Sequence, residues 1–228
     1  MTSNEKINDL TIIFLTLNKL PAKWTAYHKS VLFEATMNYP VITISKEPMW
    51  GINLLQEEPF GVANIYKQML RGAKLAETPY VAIAEDDVLY TREHFMYRPP
   101  LDTFAYNLSR WSLYTWEPVY NYRGRRGNFA LIAPRELLIE ALEERFSKYP
   151  DGVPEDLNGE LGRPRIEKRL GVQIRNAVDF YTLDPIVVFH HDFEIDPVAQ
   201  RHRKKMGILQ AYDIPHWGRA DKLVKNFI

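Results

Sequence analysis

Thr11-Ile12-Ile13-Phe14-Leu15-Thr16-Leu17 is a run of seven residues in which only two threonine hydroxyls interrupt an apolar, largely β-branched surface. A strand with one wet face alternates polar and apolar residues, whereas a run apolar throughout is covered on both faces, the pattern of a strand buried in a parallel sheet. Asn18 and Pro21 close it as a turn. From Trp24 to Met37 the apolar residues Ala26, Tyr27, Val31, Leu32, Phe33 and Ala35 recur at near-helical spacing, and Val41-Ile42-Thr43-Ile44 is a second short β-rich run. Strand, helix, strand implies a right-handed crossover between parallel strands. After a loop rich in Pro and Gly the unit repeats. Ile65, Met69, Leu70, Ala73 and Ala76 share one stripe of a helix within Val62 to Ala76, Thr78-Pro79 ends it, and Tyr80-Val81-Ala82-Ile83-Ala84 is a third buried strand. Such alternation over the first ninety residues predicts an α/β layered domain with a mainly parallel sheet.

The 228 residues suit one domain. The later segments are less periodic. Pro99 to Gly127, with Trp111, Tyr114, Trp116, Tyr120 and Tyr122, is expected to form short strands or loops covering one sheet edge. Asn128 to Ile132 predicts a strand, and Pro134 the first turn of a helix with the stripe Leu137, Leu138, Ala141, Leu142 and Phe146. Pro154 to Leu170 predicts a polar, interrupted helical region. Phe180-Tyr181 and Pro185 to Phe189 are further strand candidates, and the tail from Pro197 to Ile228, basic around Arg201 to Lys205, shows no core stripe.

Composition removes several function classes. There is no cysteine, which excludes disulfides, thiol catalysis and thiolate zinc sites. Lys+Arg and Asp+Glu both total 29, so no global field favours a polyanion. No apolar run approaches a membrane span, and the polar start, Met1 to Leu10, lacks a signal core, so a soluble cytoplasmic protein is expected. GxGxxG, Walker A, GxSxG and HExxH are absent.

Ligands of open α/β sheets sit beyond the carboxyl ends of the strands, where Asn18, Ser45 and the acids Glu85-Asp86-Asp87 all fall. Three adjacent carboxylates repel one another and need a cation or donors. A hard ion such as Mg2+ or Mn2+, sharing its shell with phosphate oxygens, suits them, and so does a solvated acidic turn. His190-His191, ending an apolar strand, offers imidazole ligands or a structural surface pair. Glu155-Asp156, after Pro154, has the character of a general base toward a hydroxyl, or of acids at a helix start. Arg123-Gly124-Arg125-Arg126-Gly127 joins cations to flexible backbone, for phosphate binding or as an exposed turn.

In chain order these pieces resemble a GT-A-fold glycosyltransferase, nearest in pattern to the large inverting family 2. The strand Thr11 to Leu17 with Asn18 resembles the family's first nucleotide-binding strand. Gly61-Val62-Ala63-Asn64 through Val81 resembles its second helix and following strand. Ala84-Glu85-Asp86-Asp87 stands where the family carries DxD, with Glu as first acid; Gly127-Asn128-Phe129-Ala130 is similar to its glycine loop, Pro154-Glu155-Asp156 to its xED motif, and His190 or His191 to its late metal-binding histidine.

The resemblance implies a Rossmann-like three-layer α/β/α sandwich: a nucleotide-sugar half to about residue 98, an acceptor-side half to about 195, and a basic tail. It implies transfer of a sugar, with inversion, from a nucleoside diphosphate sugar, UDP-linked by preference, to a hydroxyl of a glycan, protein, small molecule or modified DNA base. Mn2+ or Mg2+ is held by Asp87 with Glu85 and His191 or His190. Thr16, Asn18, Ser45, Asn64 and Asp86 are expected near the donor, and Arg125 and Arg126 near its phosphates or the acceptor. Asp156 is expected as the base, with Glu155 orienting donor or acceptor. A nucleotidyltransferase of similar fold, or a catalytically silent sugar- or nucleotide-binding protein, is the alternative.

Overall fold

A computed structural model describes residues 8–58, 61–191 and 209–227. The first part of the chain forms β1 (Leu10–Leu15), α1 (Ala22–Thr36), β2 (Val41–Ser45), β3 (Ile52–Leu55), α2 (Val62–Leu75), β4 (Tyr80–Glu85) and β5 (Val88–Leu89). Then follow β6 (Thr103–Asn107), β7 (Arg110–Tyr114), β8 (Glu117–Tyr122), β9 (Leu131–Pro134), α3 (Arg135–Lys148), α4 (Pro164–Leu170), β10 (Asn176–Phe180) and β11 (Ile186–His190). The last described stretch adds β12 (Gln210–Ala211), β13 (Asp213–Ile214), β14 (Gly218–Arg219) and the short helix α5 (Ala220–Val224).

Seven strands make the central sheet, in the order β10-β6-β9-β4-β1-β2-β3, and β9 alone runs against its neighbours. The unbroken apolar character of β1 follows from its place in the middle. Ile13 and Leu15 pack with α2 and α3 on one face, through Met69, Ala73, Leu138 and Leu142. Leu10, Ile12 and Phe14 pack on the other face with Leu32 and Ala35 of α1. At Gly72 an added Cβ would stand 2.6 Å from Ile13 Cγ2, so α2 lies against β1 more closely than a side chain allows.

The parallel sheet with helices on both faces matches the expectation, and four segments differ in detail. Ile52–Leu55, inside the expected loop, forms the edge strand β3. Asn128–Ala130 is a 3-10 turn, and the strand begins only at Leu131. Pro134 closes that strand, opposite Tyr80, before α3 starts at Arg135. The aromatic segment after Pro99 does not simply cover an edge: β6 enters the central sheet, while β7 and β8 join β11, β5 and β12 in a second, five-stranded sheet. That sheet shares with α1 the covering of the second face, through Val88, Ile186 and Val188.

The tail also differs from expectation. Ala220, Leu223, Val224 and Phe227 pack with Trp24, Leu113 and Phe189 in a third apolar cluster. They follow helical spacing, but α5 is too short for a stripe of several turns to declare itself. The basic stretch Arg201 to Lys205 lies outside the described residues. Among those described, no helix is long and apolar enough to cross a membrane.

Candidate functional site

The acids close β4 and are held through their own backbone. The Trp24 indole donates to Asp86 O at 2.7 Å, Phe189 N–H donates to Asp87 O at 2.8 Å, and His28 Nε2 meets Val88 O at 2.8 Å. Glu85 N–H donates to the Tyr90 hydroxyl, which donates in turn to Phe129 O, both at 3.0 Å. Burial first, and then the negative field of Glu85, Asp87 and Asp86, pushes the Tyr90 phenol well above its usual pKa and keeps it a donor.

Local topology then brings acids and histidines together. β5 leaves the acidic turn directly and pairs antiparallel with β11, with Val88 opposite Val188. The residues just before β5 therefore lie beside those ending β11. His191 Nε2 stands 3.9 Å from Asp87 Oδ2, and its ring stacks on Phe227 at 5.3 Å. His190 turns toward the second sheet, hydrogen-bonded to Ser112 Oγ at 3.1 Å and stacked on Tyr114.

Glu85, Asp86, Asp87, His190 and His191 line one cavity of about 290 Å³ together with Thr16 and Asn64. Asp86 accepts a short hydrogen bond from the Thr16 hydroxyl, and desolvation pushes its carboxyl up to about 6. Asn64, buried on α2, accepts from Gln68 Nε2 at 2.9 Å. Asn18, at φ 56°, uses its Oδ1 to accept from Lys46 N–H (2.8 Å) and Glu47 N–H (3.2 Å). It thereby ties the end of β1 to the loop after β2, and it lines a neighbouring cavity of about 480 Å³ with Thr16, Asp86 and Trp50. Ser45 is fully buried, donating to Glu47 O and accepting from Asn53, and lines none of these cavities.

A second cavity, of about 410 Å³, adjoins the acidic one and shares Arg110 and His190 with it. Arg125, Arg126 and Glu160 line it. Asp156 and Glu155 stand apart from these linings, in the 3-10 turn Glu155–Leu157. There Asp156 is exposed and ion-paired with Arg169 at 2.7 Å. Thus the structure gathers Glu85 to Asp87, Thr16, Asn64 and both histidines, places Arg125 and Arg126 next door, and keeps Asp156 on the surface.

Sequence reasoning passed over Gln68, Arg110 and Glu160. Gln68 sits one helical turn after Asn64 on the same face, a signal the sequence carried. Arg110, the first residue of β7 in the aromatic segment, had none. Glu160 lies close enough to the Glu155-Asp156 pair to have been weighed with it.

Among the described residues no three His, Asp or Glu side chains converge closely enough to hold a metal by themselves. Asp87 and His191 do fit a Mn2+ or Mg2+ ion that takes its remaining ligands from a diphosphate and water, because such ions accept few protein ligands and prefer oxygen, Mn2+ also imidazole.

No family model and no curated protein matches the chain. Several solved structures are similar to it in fold. The mannosyltransferase PcManGT from Pyrobaculum calidifontis, solved with GDP-Man and Mn2+, is 16% identical at a TM-score of 0.46, over 86% of this chain and 60% of that one. HddC from Yersinia pseudotuberculosis is 12% identical at 0.46, over 78% and 92% respectively. S. aureus TarS 1-349, solved with UDP-GlcNAc, is 11% identical at 0.44, over 82% and 60%. The chain thus spans less than two thirds of the mannosyltransferase and of TarS.

Proposed function

We propose that the protein transfers a glycosyl group from a nucleoside diphosphate sugar, UDP-linked by preference, to an acceptor hydroxyl with inversion at the anomeric carbon. The observation that carries this reading is the approach of Asp87 to His191 at the mouth of a buried parallel strand, in a cavity bordered by Thr16, Asn64 and Asp86. An acid fixed through its backbone carbonyl by Phe189 and an imidazole stacked on Phe227 form a preorganised ligand pair.

Asp87 and His191 would hold Mn2+ or Mg2+, which when bound would neutralise charge on the leaving diphosphate. Thr16 orients the Asp86 carboxylate toward the donor, and Asn64, steadied by Gln68, offers amide hydrogen-bonding groups from α2. The acceptor enters from the second cavity. Glu160, the only carboxylate in its lining among the described residues, takes the proton of the attacking hydroxyl on its side-chain oxygen. Asp156, to which the resemblance gave that role, lines neither cavity; each carboxylate has an arginine partner, Arg169 for Asp156 and Arg163 for Glu160, so position and not pairing separates them.

The test is a product assay with UDP- and GDP-sugars and Mg2+. Release of nucleoside diphosphate with an inverted glycoside supports the reading, and retained configuration overturns its inverting part. Pyrophosphate released from a nucleoside triphosphate would identify a nucleotidyltransferase instead. A protein that binds nucleotide sugars without turnover would be the silent alternative.

A further inference from the structure

The second cavity holds more positive charge than glycosyl transfer to a neutral hydroxyl requires. Among the described residues five arginines line it against one carboxylate, Glu160, which Arg163 Nε already holds at 2.6 Å. Arg126 is also engaged: Asp179 accepts from its Nε at 2.6 Å, and the carbonyls of Gly162 and Ala177 accept from its other nitrogens.

Arg110 is different. It is 7% exposed, its Nη1 donates to Arg125 O at 3.1 Å, and its guanidinium lies over the Phe129 ring at 4.6 Å. Among the described residues no carboxylate stands within ion-pair distance of it, and its buried Nε has no acceptor. Burial first, then the positive charge of Arg123 and Arg125, pulls its pKa down to about 10, against the negative charge of Glu160 and Asp87. A buried charge without a counter-ion is costly, and an oxyanion entering the cavity would remove that cost. Arg125, exposed on the same wall, is within the same lining.

We infer that this cavity takes a phosphate ester carried by the acceptor, seated on the Arg110 and Arg125 guanidinium groups beside Glu160. This deepens the proposed transfer and rests on it. A phosphate ester offers three terminal oxygens and more charge than a carboxylate, so it answers two guanidinium groups more strongly. The acceptor hydroxyl would then lie between its own phosphate and the donor cavity, which shares Arg110.

Isothermal titration of the full chain with methyl phosphate, in saturating UDP and Mg2+, tests the inference, with UDP binding measured separately. Methyl phosphate is expected to bind alongside UDP, acetate at least about tenfold more weakly, and both Arg110→Gln and Arg125→Gln to lose at least about tenfold in affinity. Arg125 is exposed, so its replacement leaves the fold intact if Arg110→Gln does not. If UDP binds and methyl phosphate does not, if the two compete for one site, if acetate binds equally well, or if Arg125→Gln binds like wild type, the inference fails. If UDP does not bind, GDP takes its place in the titration, and absence of binding by both would instead overturn the glycosyl-transfer reading on which it rests.

Discussion

Asp87 Oδ2 and His191 Nε2 stand 3.9 Å apart although one belongs to the turn after a central strand and the other follows a strand of the second sheet. The antiparallel pairing of β5 with β11 makes the contact, since it sets the start of one against the end of the other.

The two adjacent histidines should therefore behave differently. Substituting His191→Ala is expected to weaken Mn2+ binding, followed by electron paramagnetic resonance in the presence of UDP, by about 10- to 100-fold. His190→Gln should change it little, because His190 is committed to Ser112 and Tyr114. Equal losses would place both imidazoles in the metal shell.

The two candidate bases separate by kinetics. Glu160→Gln should lower kcat by about 100-fold or more while leaving donor binding unchanged, the size of effect typical of losing a general base. Asp156→Asn, which disturbs only an exposed ion pair with Arg169, should leave kcat within about twofold. The opposite ranking would return the role to Asp156.

Two buried histidines predict sensitivity to acid. Burial lowers the pKa of His28 to about 4 and that of His94 to about 3. Both rings stay neutral in the fold but protonate in the unfolded chain near pH 6.5, so the unfolded state binds more protons below that pH. Stability should fall from pH 6.5 toward pH 4 by up to about 1.4 kcal/mol per pH unit for each ring. Urea denaturation across this range should show the slope, and His94→Phe should reduce it.

The close approach of α2 to β1 predicts a steric limit. At Gly72→Val the new Cβ meets Ile13 at 2.6 Å, and the cost should be about 1–3 kcal/mol, read as a lower midpoint in thermal or urea unfolding. Because α2 also carries Asn64 and Gln68, UDP affinity should drop with it.

The tail supports the site from behind. Phe227 packs on Trp24, Phe189 and His191, so Phe227→Ala should destabilise by about 3–5 kcal/mol and weaken Mn2+ binding through a looser His191.

Legibility in the sequence followed how locally each feature was encoded. β1, β2 and β4 declared themselves because burial on both faces leaves an uninterrupted apolar run, and the acids at the end of β4 marked the ligand edge. The second sheet was obscure, since β7 and β8 pair with β11 and β12, far along the chain, and their aromatics carry no single period. The choice between His190 and His191 was closed to the sequence, because His190 ends β11, His191 follows it, and only the tertiary partners of each decide their use. The base role of Asp156 came from the resemblance of Pro154-Glu155-Asp156 to the xED motif, and only tertiary structure pairs it with Arg169. The excess of arginine around Arg110 depends on bringing β7, the glycine loop and the Asn158 to Arg163 segment together, which no single window of sequence contains.

The central claim is that Asp87 anchors a divalent ion for a nucleoside diphosphate. Calorimetric titration of UDP and GDP into the wild-type chain and into Asp87→Asn, each with and without Mg2+, tests it most directly. At least one nucleotide should bind the wild type only when Mg2+ is present, with affinity reduced at least about tenfold in Asp87→Asn. Failure of both nucleotides to bind with Mg2+, or binding that depends on neither the ion nor Asp87, would contradict it.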